Sequence, residues 1–187
     1  VNCWVCELPN SIELIGGENI VVKNCQLGAQ PTGITCKVQE VNKLSFINNQ
    51  VYPDGRENLV LDACNNCVIE GNNFKSYYNG ILVLNGNDNT VNKNIFWLTG
   101  AVQNQLLDHG DDFGIINVKG NNNMVTSNSL SCEWAYAGAV TVNAVQGTGN
   151  VFKNCFVDNL ESYRVFLVNA QTEVSNCVSS DKVSIVE

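Results

Sequence analysis

Short apolar runs alternate with asparagine-rich turns along the whole chain, and one phrase recurs seven times. Each copy places an Asn between two short apolar runs, and the copies read NIVVKNCQL, LSFINNQVY, CVIEGNNF, NTVNKNIFW, MVTSNSLS, NVFKNCFV and TEVSNCVS. Their shared asparagines are Asn24, Asn49, Asn72, Asn94, Asn128, Asn154 and Asn176. Successive copies lie 22 to 34 residues apart. A period in this range is typical of solenoid proteins.

A second β-rich run follows each copy after a turn, as in Gly80–Leu84 and Gly114–Val118. Each repeat therefore has two or three short strands, and no segment has the 3.6-residue period of a crossover helix. Leucine-rich repeats are the main alternative at this period, but they need Leu at fixed positions and the fixed residue here is Asn. The pattern predicts an all-β fold, a right-handed single-stranded parallel β-helix of about seven coils over residues 12–187.

Asparagine and cysteine are placed by the same repeat. The seven shared asparagines are predicted to form one inward column, in which amide side chains pass hydrogen bonds from coil to coil. Cys25, Cys155 and Cys177 each follow a shared Asn directly and are predicted to share a buried column. Cys3-x-x-Cys6 and Cys64-x-x-Cys67 resemble half zinc sites, but they are far apart and have no His nearby. We therefore predict no metal site, and an odd total of nine cysteines leaves at least one unpaired.

Composition narrows the class of protein. The chain of 187 residues is 44% apolar, which suits one β-helix domain spanning residues 1–187. A net charge of −8 with no basic stripe argues against a nucleic-acid partner. The sequence contains no run of 18 apolar residues, so it predicts no membrane-spanning helix. Neither end carries a polar cap for the stacked core, so we expect a longer protein or partners that cover the ends. We expect a secreted, extracellular location.

One coil is longer than the others, and its extra length is the segment Leu98–Asp112. Insertions in solenoids form loops on one face, often the binding face. This segment holds Asp108, the only histidine (His109), Asp111 and Asp112. It is either a solvated acidic loop or an acid/base or cation site, although its spacing matches no recognised calcium loop. Sugar cleavage would need one protonated and one ionised carboxyl group at close range.

Aromatic and acidic residues are predicted to lie beside this insertion in the loops of neighbouring coils. Those loops contribute Lys75, Ser76, Tyr77, Tyr78, Glu133, Trp134, Tyr136, Asp158, Glu161, Tyr163 and Arg164. Stacked coils place equivalent loops side by side, so we expect a groove along one edge. Aromatic faces with carboxylates suit sugar rings. The alternative is that the aromatic residues only shield the corner of the β-helix.

Two stretches carry a resemblance to a known family. These stretches, Gly110–Asn128 and the preceding Tyr78–Phe96, resemble the C-terminal half of the inulin fructotransferases and difructose-anhydride hydrolases. The first contains Asp-Asp before a strand and a Gly-x-Asn-Asn turn. The resemblance covers roughly residues 60–160. It implies a trimeric right-handed β-helix that acts on fructans with an acid pair at a subunit interface. Only Asp111 and Asp112 match the family's features residue by residue.

The first functional hypothesis is therefore a fructotransferase or difructose-anhydride hydrolase that needs no cofactor. Its candidate catalytic residues are Asp111, Asp112 and Glu133, and its candidate substrate-binding residues are Asp108, His109, Tyr77, Tyr78 and Trp134. The second hypothesis is a non-catalytic glycan-binding or adhesion β-helix of a phage or cell-surface fibre. A pectate-lyase-like enzyme is a weaker third. An oligo- or polysaccharide is the expected partner of all three.

The second set of strands predicts the assembly. Their flanking residues are apolar and should point inward, so the middle residues should form an outward column. This predicted column contains Val60, Val83, Asn117, Thr141 and Leu167. Three of these five are aliphatic, and exposed apolar surface usually marks an interface. We expect a homotrimer packed on this sheet; the alternative is a further segment of the same chain that covers it.

Overall fold

The structure is a computed structural model that describes residues 3–30, 33–53, 56–77, 80–99, 113–132, 140–158, 164–178 and 183–186. Within these ranges the chain forms 22 β-strands and no helix, so none of this part offers a helix able to cross a membrane. The strands form three parallel sheets whose order follows the coils of the chain. The architecture is a right-handed parallel β-helix, as the repeat predicts.

Up to Ser175 the chain visits the three sheets in the fixed order A, B, C on each coil, and the last described strand, Val183–Val186, belongs to sheet B. Sheet A contains β1 (Trp4–Leu8), β4 (Gln26–Ala29), β7 (Gln50–Val51), β10 (Asn73–Ser76), β13 (Ile95–Leu98), β16 (Ser129–Cys132) and β19 (Phe156–Asp158). Sheet B contains β2 (Ile12–Glu18), β5 (Ile34–Asn42), β8 (Glu57–Asp62), β11 (Leu82–Asn85), β14 (Ile116–Val118), β17 (Val142–Ala144), β20 (Phe166–Asn169) and β22 (Val183–Val186). Sheet C contains β3 (Val21–Lys23), β6 (Ser45–Ile47), β9 (Val68–Glu70), β12 (Thr90–Asn92), β15 (Met124–Thr126), β18 (Val151–Lys153) and β21 (Glu173–Ser175).

The core fills the space between the three sheets with stacked apolar side chains. Phe74 and Phe96, which are paired in β10 and β13, stack with ring centroids 5.0 Å apart and an interplanar angle of 2°. Phe46 stacks on Phe74 from sheet C at 6.1 Å. Because each coil adds one layer of the same kind, the core grows in length and stays narrow.

An inward asparagine ladder lines the corner between sheets C and A. The backbone N–H and side-chain Nδ2 of Asn72 both donate to Oδ1 of Asn94 at 2.9 Å. Nδ2 of Asn94 also donates to the carbonyl oxygen of Ile69 at 2.9 Å. The column contains Cys25, Asn49, Asn72, Asn94, Asn128, Cys155 and Cys177. Each amide in mid-stack thus satisfies buried backbone groups that no sheet pairs.

The predicted column was wrong by one residue at three of its seven positions. Asn24, Asn154 and Asn176 do not point into the ladder; they adopt a left-handed backbone conformation with φ between 52° and 56°. The residue after each of them, a cysteine, occupies the ladder position. The predicted shared column of Cys25, Cys155 and Cys177 is confirmed, and it is the ladder column itself. Asparagine fits both positions because it tolerates the left-handed region and carries a hydrogen-bonding amide.

The corner between sheets B and C repeats this design. A residue of positive φ precedes each inward residue, as in Asp88 (φ 58°) before Asn89 and Asn122 (φ 55°) before Asn123. Nδ2 of Asn89 donates to Oδ1 of Asn123 at 3.0 Å, and Asn123 donates to Oδ1 of Asn150 at 3.1 Å. Two corners of every coil are therefore tight and regular. The third corner, between sheets A and B, is where loop length varies.

The outward column of sheet B differs from the prediction at one position. Asn117 pairs with Asn143, whereas Thr141 lies before the strand and is buried. The observed column contains Lys37, Val60, Val83, Asn117, Asn143, Leu167 and Ser184. Asn117 and Leu167 are themselves buried, and Val60 and Val83 are half-buried. The aliphatic surface of this sheet is thus smaller than the sequence suggested.

None of the nine cysteines forms a disulfide. Burial raises the pKa of Cys67 to about 11 and that of Cys132 to about 12, where Asp158 adds to the effect. Cys64 and Cys67 lie in one coil, on either side of a corner, and both are buried. These thiols act as small apolar side chains that keep their protons at neutral pH.

Replacing Asn94 by Leu should destabilise the protein by about 1–3 kcal/mol, because Asn72 loses its acceptor and the Ile69 carbonyl loses its donor. Denaturant unfolding followed by far-ultraviolet circular dichroism measures this loss. Asn92→Leu is the matched control, since Asn92 faces outward on sheet C and only accepts one 3.2 Å bond from Thr126. Equal losses in the two variants would contradict the ladder's role.

Stability should fall as pH rises through the alkaline range. The pKa of a thiol in the unfolded chain is about 8.5. In the folded state burial raises the pKa of Cys67 to about 11. Between these values the unfolded state binds fewer protons, so deprotonation favours unfolding. Cys67→Ser should lower this pH dependence when unfolding free energies near pH 8 and near pH 10 are compared. An unchanged slope would show that other groups carry the effect.

Candidate functional site

The outer face of sheet A carries a continuous array of aromatic and amide side chains. Parallel pairing in register places equivalent residues in columns, and the strand alternation turns the first and third residues of each strand outward. The first outward column contains Trp4, Gln26, Gln50, Asn73, Ile95, Ser129 and Phe156. Ile95 is 49% exposed and Phe156 is 51% exposed, so this column is open to solvent. We call this surface the sheet A face.

A second outward column lies beside the first, nearer the variable corner. Lys75, Trp97, Ser131 and Asp158 are successive partners in β10, β13, β16 and β19. Tyr52 follows the last residue of β7 and lies one coil before Lys75. The second column therefore mixes two aromatic rings, one cation and one carboxylate.

Lys75 and Trp97 make the central contact of the sheet A face. The Nζ atom of Lys75 lies 4.6 Å from the centroid of the Trp97 ring, within the range of a cation–π interaction. Both side chains are half-buried and lie on adjacent strands. The contact holds the indole in one orientation, so its conformational entropy is already reduced before any ligand arrives.

A buried amide holds the strand ends beneath this contact. Asn58 lies at the start of sheet B, is fully buried, and donates through Nδ2 to the carbonyl oxygens of Tyr52 at 3.2 Å and Lys75 at 2.9 Å. It thus joins the ends of β7 and β10 at the point where the chain leaves sheet A. Ser76, next to Lys75, is also fully buried and faces the core. The backbone under Tyr52 and Lys75 is therefore well fixed.

Most of the predicted site lies outside the described residues. Asp108, His109, Asp111, Asp112, Glu133, Trp134 and Tyr78 all fall there. Tyr77 is described; it directly follows β10 and is 40% exposed at the edge of the sheet A face. Lys75 and Ser76, which were expected in a loop, belong to β10, and Leu98 is the last residue of β13 rather than the start of the insertion.

The sheet A face was not predicted from the sequence, because the insertion and not the strand alternation was taken as the guide to the site. Trp97 and Tyr52 were not among the predicted site residues, and neither were Gln26, Gln50 and Asn73. The signal was present in the alternation of NFKS, IFWL and SLSC, where the second and fourth residues point inward and the first and third outward. Seven strands spaced about 4.8 Å apart make a face on the order of 30 Å long.

This arrangement suits an elongated, hydroxyl-rich ligand. Aromatic rings offer flat apolar surface for the C–H faces of sugar rings, and the exposed amide of Gln50 can both donate to and accept from hydroxyl groups. Asp158 is the one carboxylate among the residues that the structure describes in the two columns. The described part of the face can therefore bind such a ligand but holds no pair of acids.

Successive coils stack to form three parallel sheets, with two regular corners and one variable corner. This architecture defines the class of right-handed parallel β-helix proteins. The chain belongs to the NosD family, because a family model described as periplasmic copper-binding protein (NosD) matches residues 3–171. No curated protein sequence matches the chain.

Solved structures with the same fold are forms of DFA-IIIase from Arthrobacter chlorophenolicus A6. The complex with GF2 is similar over 98% of this chain with a TM-score of 0.80 and 21% identity, and the match covers 49% of that chain. The C387A mutant in complex with DFA-III gives a TM-score of 0.75 at 17% identity, covering 98% of this chain and 51% of the other. The chain thus spans about half the length of these proteins. The resemblance to the difructose-anhydride family is confirmed at the level of the fold.

Trp97→Ala should weaken the binding of an oligosaccharide by roughly 1 kcal/mol, or about fivefold, because an aromatic stacking surface is removed. Isothermal titration calorimetry with fructo-oligosaccharides measures the change. Met124→Ala is the matched control, since Met124 is half-exposed on the outer face of sheet C. The sheet A face is not the ligand surface if Trp97→Ala binds like the parent and Met124→Ala does not.

Proposed function

We propose that this protein is a carbohydrate-active β-helix that binds a fructan or fructo-oligosaccharide along the sheet A face. The observation that carries the proposal is the column of Tyr52, Lys75 and Trp97 beside the exposed amide of Gln50. These are the side-chain types that contact sugar rings and hydroxyl groups, and the sheet presents them in two adjacent columns.

The finer proposal is fructotransferase or difructose-anhydride hydrolase activity. The fold is shared with DFA-IIIase, whose structures were solved with GF2 and with DFA-III. In this proposal the acid pair is drawn from Asp111, Asp112 and Glu133, while Asp108, His109, Tyr77, Tyr78 and Trp134 contact the sugar. One acid must donate a proton to the leaving oxygen while the other, ionised, stabilises positive charge on the sugar or attacks it. Asp111 and Asp112 directly precede Phe113, where the described chain resumes.

A second candidate is a glycan-binding module without catalysis. It is favoured by the composition of the described face, in which aromatic and amide groups outnumber the single carboxylate, Asp158. Binding needs stacking surface and hydrogen bonds, whereas hydrolysis or transfer needs two acids at a set distance. The two candidates share the ligand and differ only in turnover.

The family to which the chain belongs is described as copper-binding. Among the described residues no group of three or more His, Cys, Asp or Glu side chains lies together, so no multi-ligand centre is built from them. Soft thiolate ligands suit copper(I), and two cysteines in contact do occur in this structure, at Cys155 and Cys177. Both thiols lie in the interior and away from the sheet A face.

Incubation with inulin and with difructose anhydride, followed by sugar chromatography, tests the activity. Asp111→Asn and Asp112→Asn keep the side-chain shape and remove the charge, so each should abolish turnover while the melting temperature changes by only a few degrees. Glu133→Gln is expected to act in the same way. Retained turnover in all three would remove these acids from the mechanism.

The matched control is Glu173→Gln, because Glu173 is exposed on sheet C and accepts a bond only from the nearby Ser175 hydroxyl at 2.7 Å. This variant should keep full turnover. Binding of the parent protein without any turnover would decide for the glycan-binding module.

We further propose a homotrimer that packs on sheet B, with Val60 and Val83 at the interface. Light scattering should give a mass about three times the 20.4 kDa of the chain. Val83→Lys should dissociate the trimer, since a charge would be buried without a partner. Val21→Lys, on the outer face of sheet C, is the control that should leave it intact. A monodisperse monomer would refute the trimer.

A further inference from the structure

The aromatic side chains of the sheet A face recur on every second coil. Trp4 lies in β1, Tyr52 directly follows β7, Trp97 lies in β13 and Phe156 lies in β19. In the order of sheet A these are the first, third, fifth and seventh strands. Adjacent strands lie about 4.8 Å apart, so successive rings are on the order of 10 Å apart along the stack. The face therefore offers a row of separate aromatic surfaces and not one cluster.

Trp4, at the first strand of this row, is the most exposed large apolar side chain in the part of the chain that the structure describes. Its exposed fraction is 74%, whereas Trp97 is half-buried and contacts Lys75. A large ring that stays open to water is an informative feature, because apolar surface of this kind marks contact sites. Trp4 therefore has area available for a ligand.

An open cavity of about 450 Å³ lies beside this ring and is lined by Cys3, Trp4, Asn24 and Gln26. Its volume is in the range of small-ligand sites. Gln26 pairs with Trp4 in register, so its exposed side chain lies on the adjacent strand. Asn24 is exposed at the corner between sheets C and A. The cavity thus combines a flat apolar ring with two amides that can donate to and accept from hydroxyl groups.

An amide column connects this cavity to the surface around Trp97. Gln26 pairs in register with Gln50, and both side chains are exposed. Gln50 in turn lies beside Tyr52, at the start of the column that contains Lys75 and Trp97. Polar contacts are therefore continuous from the cavity to the cation–π pair, and one extended ligand can touch both.

We propose that the cavity beside Trp4 is a distal subsite for a sugar unit of a long fructan chain, which runs along the stack of coils from Trp4 to Trp97. This inference rests on the function proposed above and names the ligand as a polymer. The strands of the two tryptophans are four spacings apart in sheet A, or about 19 Å. A sugar ring built from bonds of about 1.5 Å is roughly as long as one strand spacing, so three linked units do not reach both rings. Only a longer chain does.

Isothermal titration calorimetry on the full chain with two fructo-oligosaccharides tests the subsite. One ligand has three units and the other about ten, which is enough to span about 19 Å. The short ligand is expected around Trp97, where Lys75 already holds the indole in place. Trp97→Ala should therefore weaken both ligands about fivefold, whereas Trp4→Ala should weaken only the longer one, again about fivefold.

Two further variants separate a lost contact from a disturbed first coil. Trp4→Tyr keeps an aromatic ring and should retain most of the affinity for the longer ligand. Val21→Ala is the matched control, because Val21 is 59% exposed in the same coil but lies on sheet C. It should bind both ligands like the parent. The melting temperatures of all variants should stay close to that of the parent, since the replaced side chains are exposed.

The outcomes distinguish this inference from the function on which it rests. Loss of affinity for the longer ligand alone in Trp4→Ala, with recovery in Trp4→Tyr, supports the subsite. Unchanged binding of the longer ligand in Trp4→Ala, or equal weakening of both ligands, overturns it. If Trp97→Ala still weakens both ligands in that case, the carbohydrate proposal stands without the subsite; if the parent binds neither ligand, both proposals fail. Self-association of the protein that Trp4→Ala abolishes assigns this surface to a second copy of the chain and also overturns the subsite.

Discussion

The hydrogen-bonded asparagine ladder is the constraint on which the rest of this β-helix depends. A coil of three short strands needs sharp corners, and sharp corners leave backbone groups that no sheet can pair. An inward amide solves this problem because it donates twice and accepts twice, so Asn72 satisfies Asn94 and the Phe46 carbonyl together. Because the bonds run from coil to coil, they also fix the register of every sheet. A slip by one residue would turn all core side chains toward solvent, and the amides oppose that slip.

The repeat made the fold predictable from the sequence. Because asparagine occurs both at the corner and in the ladder, the sequence did not determine which asparagines occupy the ladder position. Asn49, Asn72, Asn94 and Asn128 were assigned to the ladder correctly, whereas Asn154 lies one position earlier, in the left-handed corner. Both positions favour the same residue, for two different reasons. The sequence Asn-Cys reads as a ladder asparagine followed by a buried thiol, while the backbone places the asparagine at the bend and the thiol in the ladder. Only the strand pairing distinguishes the two, and a single sequence does not contain it.

The outward surfaces were predicted less well because the alternation fails where the chain enters sheet B. There two successive residues are buried on several of the described coils, as in Ile81 with Leu82 and Thr141 with Val142. The period-2 rule then assigns Thr141 to the outer face, although Asn143 pairs with Asn117 in that column. On sheet A the alternation holds, so the aromatic and amide face could have been identified from the strands. The length of the corner between sheets A and B differs from coil to coil. Sequence spacing therefore could not predict where the candidate acids lie relative to one another.

The outward columns and the inward ladder use the same repeat from opposite sides. Outside, a spacing of about 4.8 Å between strands sets Trp97 and Lys75 side by side and extends the row along the stack. Inside, the same spacing stacks the residues of the ladder column, so that the backbone N–H of Cys155 donates to Sγ of Cys177. Neither arrangement requires a change of backbone, since outward positions are free of core packing and the ladder position needs only a small side chain with some hydrogen-bonding capacity. A solenoid can therefore acquire a new site by substitution in one column, and the cost is confined to the hydrogen bonds of the coils concerned.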